Sequence, residues 1–132
     1  MREAELKHGR VCQLAILGYV AVDLGFRVPF APAVSSLEAH DVTVKGGQML
    51  FLLFVIAIFE SLSYNAIAEM MSGETDREPG DYGIPWKFCK EGDTATQEKY
   101  KLAEITHCRA AMMAFSGLVT QSALLEKGFP YY

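Results

Sequence analysis

The sequence lacks the cysteine pairs and the basic clusters on which several common classes of small protein depend. Its three cysteines, Cys12, Cys89 and Cys108, have no CxxC spacing, so neither a zinc site nor a disulfide framework is predicted. We interpret Cys12 and Cys108 as small apolar packing residues. Lysine and arginine are scattered and the net charge is -4, which argues against a nucleic acid partner.

The chain also lacks a charge-free apolar run of the roughly 20 residues that a simple membrane span needs. Three shorter runs are present, at 11–22, 46–59 and 110–125. The centre of the second, MLFLLFVIAIF, is apolar on every face, and a chain of 132 residues has too little mass to surround such a helix. Lipid is therefore the predicted environment, and we expect an all-α membrane protein.

With their flanks included, the apolar runs predict three transmembrane helices in one domain that covers 1–132. The helices are expected at about 4–24, 45–71 and 96–127. The connections between them, at 26–44 and 72–95, are predicted to be loops at the membrane surfaces, because irregular backbone is not stable in lipid.

An internal repeat is the most informative feature of the sequence. ELKHGRVCQLAILG begins at Glu5, and EITHCRAAMMAFSG begins at Glu104. Aligned without gaps, the copies share the pattern E-x-x-H-x-R-x-x-x-x-A-x-x-G. The identical positions are Glu5 and Glu104, His8 and His107, Arg10 and Arg109, Ala15 and Ala114, and Gly18 and Gly117. We expect the small alanine and glycine residues to let the two helices cross closely.

The charges of the repeat predict ion pairs between the two copies. Each arginine lies five residues after its own glutamate, about 140° away around the helix, so it cannot easily pair with it. It can pair with the glutamate of the other copy, which predicts the pairs Glu5–Arg109 and Glu104–Arg10. Pairing would neutralise ionisable groups in or near lipid. The first and third helices are therefore expected to cross as a pseudo-two-fold pair.

The paired residues are also candidate metal ligands. Glutamate and histidine at i, i+3 share one helix face, and the predicted ion pair leaves each glutamate with spare oxygen lone pairs. Carboxylate oxygen suits magnesium and imidazole can also ligate a metal. Chlorophyll contains a magnesium that needs one axial ligand, so each helix could hold two such pigments. The alternative is a pair of interfacial helices with solvated charges, which the repetition of the whole pattern disfavours.

The repeated pattern resembles the light-harvesting chlorophyll-binding superfamily, whose first and third helices carry E-x-x-[HN]-x-R. The resemblance covers nearly the whole chain and is closest to the algal chlorophyll a/c antenna proteins of the fucoxanthin and peridinin types. It implies that four residues of the repeat are axial ligands of chlorophyll magnesium: Glu5, His8, Glu104 and His107. It also implies that Arg10 and Arg109 form the structural ion pairs.

The resemblance implies further ligands outside the repeat. Gln121 lies 14 residues after His107, at the place of a glutamine ligand on the third helix; the alternative is a polar residue near a membrane surface. Glu60 resembles the acidic ligand of the middle helix; the alternative is a helix-end carboxylate at the interface. Gln48 is a weaker candidate, because its spacing from Glu60 does not match the family's usual glutamine. The segment PGDYG, Pro79 to Gly83, resembles a loop near a carotenoid head group, although a simple turn explains the same letters.

The function that the resemblance implies is light harvesting without catalysis, so we expect no enzyme. The implied cofactors are chlorophyll a, a second chlorophyll that we expect to be chlorophyll c, and carotenoids of the fucoxanthin, diadinoxanthin or peridinin type. Excitation energy would pass to a photosystem. The implied partners are a photosystem core, neighbouring antenna subunits and membrane lipid, with the chain as a multi-pass protein of the chloroplast thylakoid membrane.

Two alternatives remain open from the sequence. One is a photoprotective quenching or pigment-carrier member of the same superfamily. The other is a haem-binding membrane electron carrier that uses His8 and His107, which would leave the paired glutamates and arginines without an explanation.

Overall fold

The chain forms four α-helices in a computed structural model that describes residues 1–29, 31–82 and 94–131. Cys89 lies outside the described residues. The helices are α1 (Arg2–Asp23), α2 (Ser36–Lys45), α3 (Gln48–Ser72) and α4 (Thr94–Leu125). The all-α class agrees with the prediction. The bounds of α1, α3 and α4 lie within three residues of those expected.

Helix α2 contradicts the sequence prediction of a loop over 26–44. Its first turn depends on a residue that is distant in sequence: Asp23, at the end of α1, accepts hydrogen bonds from Ser36 N at 2.9 Å and from Ser36 Oγ at 2.6 Å. These bonds occupy a backbone donor that a helix start leaves free. Glu38 in the first turn and Lys45 in the last have the charges that the helix dipole favours.

The main helix packing in the molecule joins α1 to α4. Leu6 of α1 and two residues of α4, Ile105 and Cys108, form its buried centre. The closest approach is at Gly9, where an added Cβ would lie 2.2 Å from the Cβ of Cys108 and 2.8 Å from its Cα. The absence of a side chain at Gly9 therefore sets the separation of the two helices. Cys108 is fully buried, as expected of an apolar packing residue.

The predicted close crossing at Gly18 and Gly117 is wrong. An added Cβ at either residue would meet no atom within 4 Å, so no neighbouring backbone is close there. The contact lies instead at Gly9 and Cys108, which occupy equivalent positions of the repeat, between the histidine and the arginine. Gly9 and Cys108 are different residue types, so the positions that are identical in the two copies of the repeat do not show where the helices touch.

Helix α3 leaves most of its surface uncovered, and none of its residues is buried. Among the helices of the described part of the chain, α3 alone is long and apolar enough to cross a membrane, judged by length and composition. It packs mainly against α2. An ion pair with 2.7 Å between Lys7 Nζ and Glu60 Oε2 connects it to α1.

Candidate functional site

Two reciprocal ion pairs connect α1 and α4, in the pairing that the repeat predicts. Arg10 Nε donates to Glu104 Oε1 at 2.8 Å, and Arg10 Nη2 lies 2.7 Å from the same oxygen. Arg109 Nε donates to Glu5 Oε1 at 2.5 Å. Both contacts to Glu104 use Oε1, and no hydrogen bond from the described residues reaches Oε2. One oxygen of that carboxylate is therefore available to a ligand.

Both histidines of the repeat are exposed, and each is anchored to its own helix by one ring nitrogen. His8 Nδ1 lies 2.8 Å from Ala4 O, and His107 Nδ1 lies 2.7 Å from Ala103 O. Because a carbonyl oxygen only accepts, Nδ1 must carry the proton, and Nε2 of the neutral ring keeps its lone pair. A histidine that ligates a metal commonly donates its other N–H to a backbone carbonyl in this way.

The arrangement fits an axial ligand to a magnesium-containing ring. On α1, Glu5 and His8 are separated by about 4.5 Å along the helix axis, and Glu104 and His107 have the same spacing on α4. The ion pair balances the charge of each carboxylate, and a neutral imidazole anchored through Nδ1 would offer Nε2 as an uncharged ligand. On α4, Glu104 offers one oxygen without a hydrogen bond from the described residues. On α1, Arg109 contacts Oε1 of Glu5 and Arg2 contacts Oε2 at 3.4 Å, so a metal ligated by Glu5 would share a lone pair with a weak contact or displace it.

Glu60 places a third carboxylate at the surface of α3. Its side chain is 55% exposed, and the ion pair with Lys7 uses only Oε2. An open groove of about 350 Å³ lies beside it, lined by Glu60, Tyr64, Ile67, Ala68 and Met71. A carboxylate next to a mainly apolar surface is an arrangement that suits a large apolar ligand with one metal centre.

The two candidate glutamines differ in their surroundings. Gln121 is exposed on α4 and is followed by Ser122, whose Oγ lies 3.1 Å from the hydroxyl of Tyr131. Gln48 is the first residue of α3. With its amide oriented to satisfy its neighbours, it donates to Thr43 O at 3.2 Å and to Gly46 O at 3.3 Å. Gln48 therefore bridges the turn between α2 and α3.

A buried carboxylate that the sequence analysis missed attaches the segment before α4 to α1. Glu3 accepts hydrogen bonds from Gly80 N at 2.5 Å, Tyr82 Oη at 2.9 Å and Arg77 Nη2 at 3.4 Å. Partial burial and the hydrogen bond to Glu3 raise the pKa of Tyr82. Arg10 Nη1 also donates to Gly80 O at 2.9 Å, so the same segment touches one of the two reciprocal ion pairs.

This segment contains the described part of PGDYG, Pro79 to Tyr82, whereas Gly83 lies outside the described residues. Gly80 has φ +83°, and an added Cβ would lie 2.7 Å from Leu6 Cδ1. The backbone conformation therefore favours glycine, whereas the overlap is with the end of a flexible side chain that can shift. Glu3 was missed because its equivalent in the second copy of the repeat is Leu102, so the repeat does not mark the position.

Helices α1 and α4 thus form an all-α pair in which the repeated glutamates are held by ion pairs and the repeated histidines by backbone carbonyls. In a comparison with known families, the sequence profile of the family described as chlorophyll A-B binding protein matches residues 1–123. The chain therefore belongs to that family, which confirms the resemblance.

Individual relatives are similar along almost the whole chain. Fucoxanthin-chlorophyll a-c binding protein D of Phaeodactylum tricornutum is 31% identical, over 94% of this chain and 65% of the relative. Chlorophyll a-b binding protein CP29.3 of Arabidopsis thaliana is 32% identical, over 96% of this chain and 47% of the relative. CP29 of Chlamydomonas reinhardtii is 29% identical, over 96% and 46%. The chain thus spans less than two thirds of the length of these relatives.

Proposed function

We propose that the chain is a light-harvesting antenna subunit that binds chlorophylls and carotenoids and passes excitation energy to a photosystem. The observation that carries this proposal is the anchoring of His8 and His107, whose Nδ1 atoms are bound to backbone carbonyls so that each Nε2 is presented to the outside. Two such histidines, each three residues after an ion-paired glutamate, would supply a repeated set of magnesium ligands.

In this proposal the protein groups bind and orient the pigments, and no bond is made or broken. Magnesium would be ligated by six side chains: Glu5, His8, Glu60, Glu104, His107 and Gln121. Arg10 and Arg109 neutralise two of the carboxylates and join their helices. Chlorophyll supplies the absorption of light and the excited state that is transferred.

The proposal places α1, α3 and α4 across the membrane, with α1 and α4 crossing as a pseudo-two-fold pair. Helix α3 meets the length and composition of a span by itself. Helices α1 and α4 have charged first halves, in which Glu5 pairs with Arg109 and Glu104 with Arg10. Pairing lowers the cost of placing such groups in lipid. Their second halves, from Val11 and from Ala110, carry no charge until Asp23 and Glu126.

The proposed cofactors are chlorophyll a, chlorophyll c and carotenoids of the fucoxanthin, diadinoxanthin or peridinin type. Support comes from a relative that is named a fucoxanthin-chlorophyll a-c binding protein and is described as chloroplastic. We place the chain in the chloroplast thylakoid membrane, with a photosystem core, neighbouring antenna subunits and lipid as its partners.

The absorption spectrum of the pigments extracted from the purified protein is the first test. We expect the bands of chlorophyll a together with those of an accessory chlorophyll and a carotenoid. A haem spectrum would instead support the electron-carrier alternative and contradict the proposal. A change of fluorescence yield with pH in the purified protein would distinguish a quenching protein from a harvesting one.

Replacement of either proposed histidine ligand by leucine is expected to remove one pigment. Leucine has no lone pair for the magnesium, so His8→Leu and His107→Leu should each lose or shift a distinct chlorophyll a band. His107→Asn should cause a much smaller loss of pigment, because the asparagine side chain still offers an oxygen to the magnesium. Pigment stoichiometry and low-temperature absorption spectra measure the difference.

The third described histidine provides a matched control. His40 lies on α2, and its ring contacts the neighbouring Asp41 at 3.1 Å with both side chains highly exposed. His40→Leu should therefore leave the pigments unchanged. Equal stoichiometry and superimposable spectra in the His8 and His107 variants would contradict the ligand assignment at both positions.

A further inference from the structure

Helix α3 has no basic residue of its own to balance Glu60. Across Gln48–Ser72 the charged residues are Glu60 and Glu69, and neither lysine, arginine nor histidine is present. A carboxylate on a helix in lipid needs a counter-charge, and for Glu60 that charge has to come from another element. Lys7 of α1 supplies it, with Nζ 2.7 Å from Glu60 Oε2.

The pairing of Glu60 follows the same rule as the two pairs of the repeat. Glu5 is paired with Arg109 and Glu104 with Arg10, so each has a cation from a different helix, and Glu5 has a longer second contact, 3.4 Å, with Arg2 of its own helix. Glu60 and Lys7 form a third pair between helices. Lys7 Nζ makes no hydrogen bond to any other described residue, and no described donor reaches Glu60 Oε1. Lys7 therefore holds Oε2 of Glu60, and Oε1 of the same carboxylate is available to a metal.

We propose that Lys7 is a positioning residue of the Glu60 pigment site, which holds Oε2 and so directs Oε1 toward the magnesium of the bound chlorophyll. The inference rests on the proposed function, because it assigns Lys7 a part in one of the proposed ligand sites. Lys7 lies in α1 next to His8 and two residues after Glu5, so it makes the site on α3 dependent on the helix that carries two other ligands.

Lysine suits this position because of the geometry of the site. Its four-carbon stem reaches from α1 to α3, where the ammonium group meets Glu60 Oε2, and the side chain is 28% exposed. Partners of metal ligands commonly set ligand orientation and basicity, and their loss weakens metal binding by about tenfold or more. The pair is not needed to hold α1 against α4, because the other two ion pairs and the buried centre do that.

Lys7→Met tests the proposal in the pigment-loaded protein, because methionine keeps most of the length of the stem and removes the charge. We expect the occupancy of the Glu60 site to fall on the order of tenfold at limiting pigment. The absorption band lost should be the one that Glu60→Leu removes. Lys7→Arg should restore that band, because guanidinium can also hold a carboxylate oxygen.

A double-variant cycle separates positioning from general stability. Glu60→Gln keeps an oxygen ligand but removes the negative charge, so Lys7→Met should cause no further loss in that background. Lys101→Met is the matched control: Lys101 forms an exposed ion pair with Glu78, 2.5 Å apart, and its loss should leave every band in place. Glu69→Leu controls for removal of a carboxylate from α3.

Each outcome decides a different point. If Glu60→Leu removes a band that Lys7→Met leaves unchanged, the role of Lys7 is overturned and the proposed light-harvesting function stands. If Lys7→Met lowers all bands equally, or adds to Glu60→Gln, Lys7 has only a structural role and the proposal is also overturned. If Glu60→Leu removes no pigment while the histidine variants do, both the Glu60 ligand and the role of Lys7 are rejected. Absence of pigment from the unchanged protein as well as from every variant would reject the proposed function itself.

Discussion

Replacement of Gly9 by leucine is expected to prevent the pairing of α1 with α4. Even a single Cβ at this residue would lie 2.2 Å from the Cβ of Cys108 and 2.8 Å from its Cα, and rotation of a side chain cannot relieve an overlap with backbone. Overpacking of a core costs about 1–3 kcal/mol of stability, occasionally more. Replacing a glycine inside a helix by a better helix former stabilises the helix by only about 1 kcal/mol, which is too little to offset that cost. The yield of refolded, pigment-loaded protein and its thermal midpoint should both fall sharply.

Gly18→Leu is the matched control, because the same change is made on the same helix where an added Cβ would meet no atom within 4 Å. It should have a much smaller effect on the pairing of the helices. Gly9→Ala combined with Cys108→Gly should recover part of the loss, because it removes the two shortest of the three overlaps. Equal damage from the Gly9 and Gly18 variants would show that Gly9 does not set the helix separation.

Arg10→Leu is expected to damage assembly more than the loss of a single pigment would. The change leaves Glu104 without its cation and Gly80 O without its donor. Removing one partner costs on the order of 3–5 kcal/mol for a buried ion pair and about 0.2–1 kcal/mol for an exposed one. Both side chains of this pair are about one third exposed, so the expected loss lies between the two values. The measurement is the fraction of protein that assembles with pigment, together with the free energy of unfolding of the assembled complex.

Arg109→Leu provides a control at the equivalent position of the repeat. Arg109 is 60% exposed and bonds only to Glu5 among the described residues, whereas Arg10 is 35% exposed and also holds the segment before α4. The loss of Arg10 should therefore be clearly more harmful than the loss of Arg109. If the two variants lose equal stability, the contact of Arg10 with Gly80 contributes nothing measurable.

The parts of the fold that the sequence predicts correctly are those with a local or repeated signal. The apolar run around Phe54 locates α3, and the two copies of the repeat locate α1, α4 and the pairing of Arg10 with Glu104. The ion pairs could be predicted because each helix carries one glutamate and one arginine of the repeat, so only one pairing between the two helices brings opposite charges together. Ligand roles, in contrast, remain predictions at every residue, because they depend on a bound pigment.

The parts that the sequence analysis missed depend on contacts between distant residues. Asp23 accepts a hydrogen bond from Ser36, 13 residues later. A contact of this kind produces no periodic pattern of apolar residues, so the sequence did not indicate the start of α2. Glu3 bonds to Gly80 across 77 residues, and the identity of neither residue points to the other. The position of the helix contact was misjudged for a related reason: Gly9 differs from its equivalent Cys108, whereas Gly18 and Gly117 are identical without being in contact.

The anchoring of the two histidines has a consequence for the optics of the protein. Because His8 and His107 are each bound to the carbonyl four residues earlier, neither ring can turn freely about its side-chain bonds. A macrocycle ligated by Nε2 would therefore take its tilt from the axis of the helix that carries it. The angle between the transition dipoles of two such pigments would follow from the angle at which α1 and α4 cross, and the coupling between the pigments depends on that angle. A substitution at Gly9 that alters the helix crossing would then change the shape of the exciton bands in the circular dichroism spectrum.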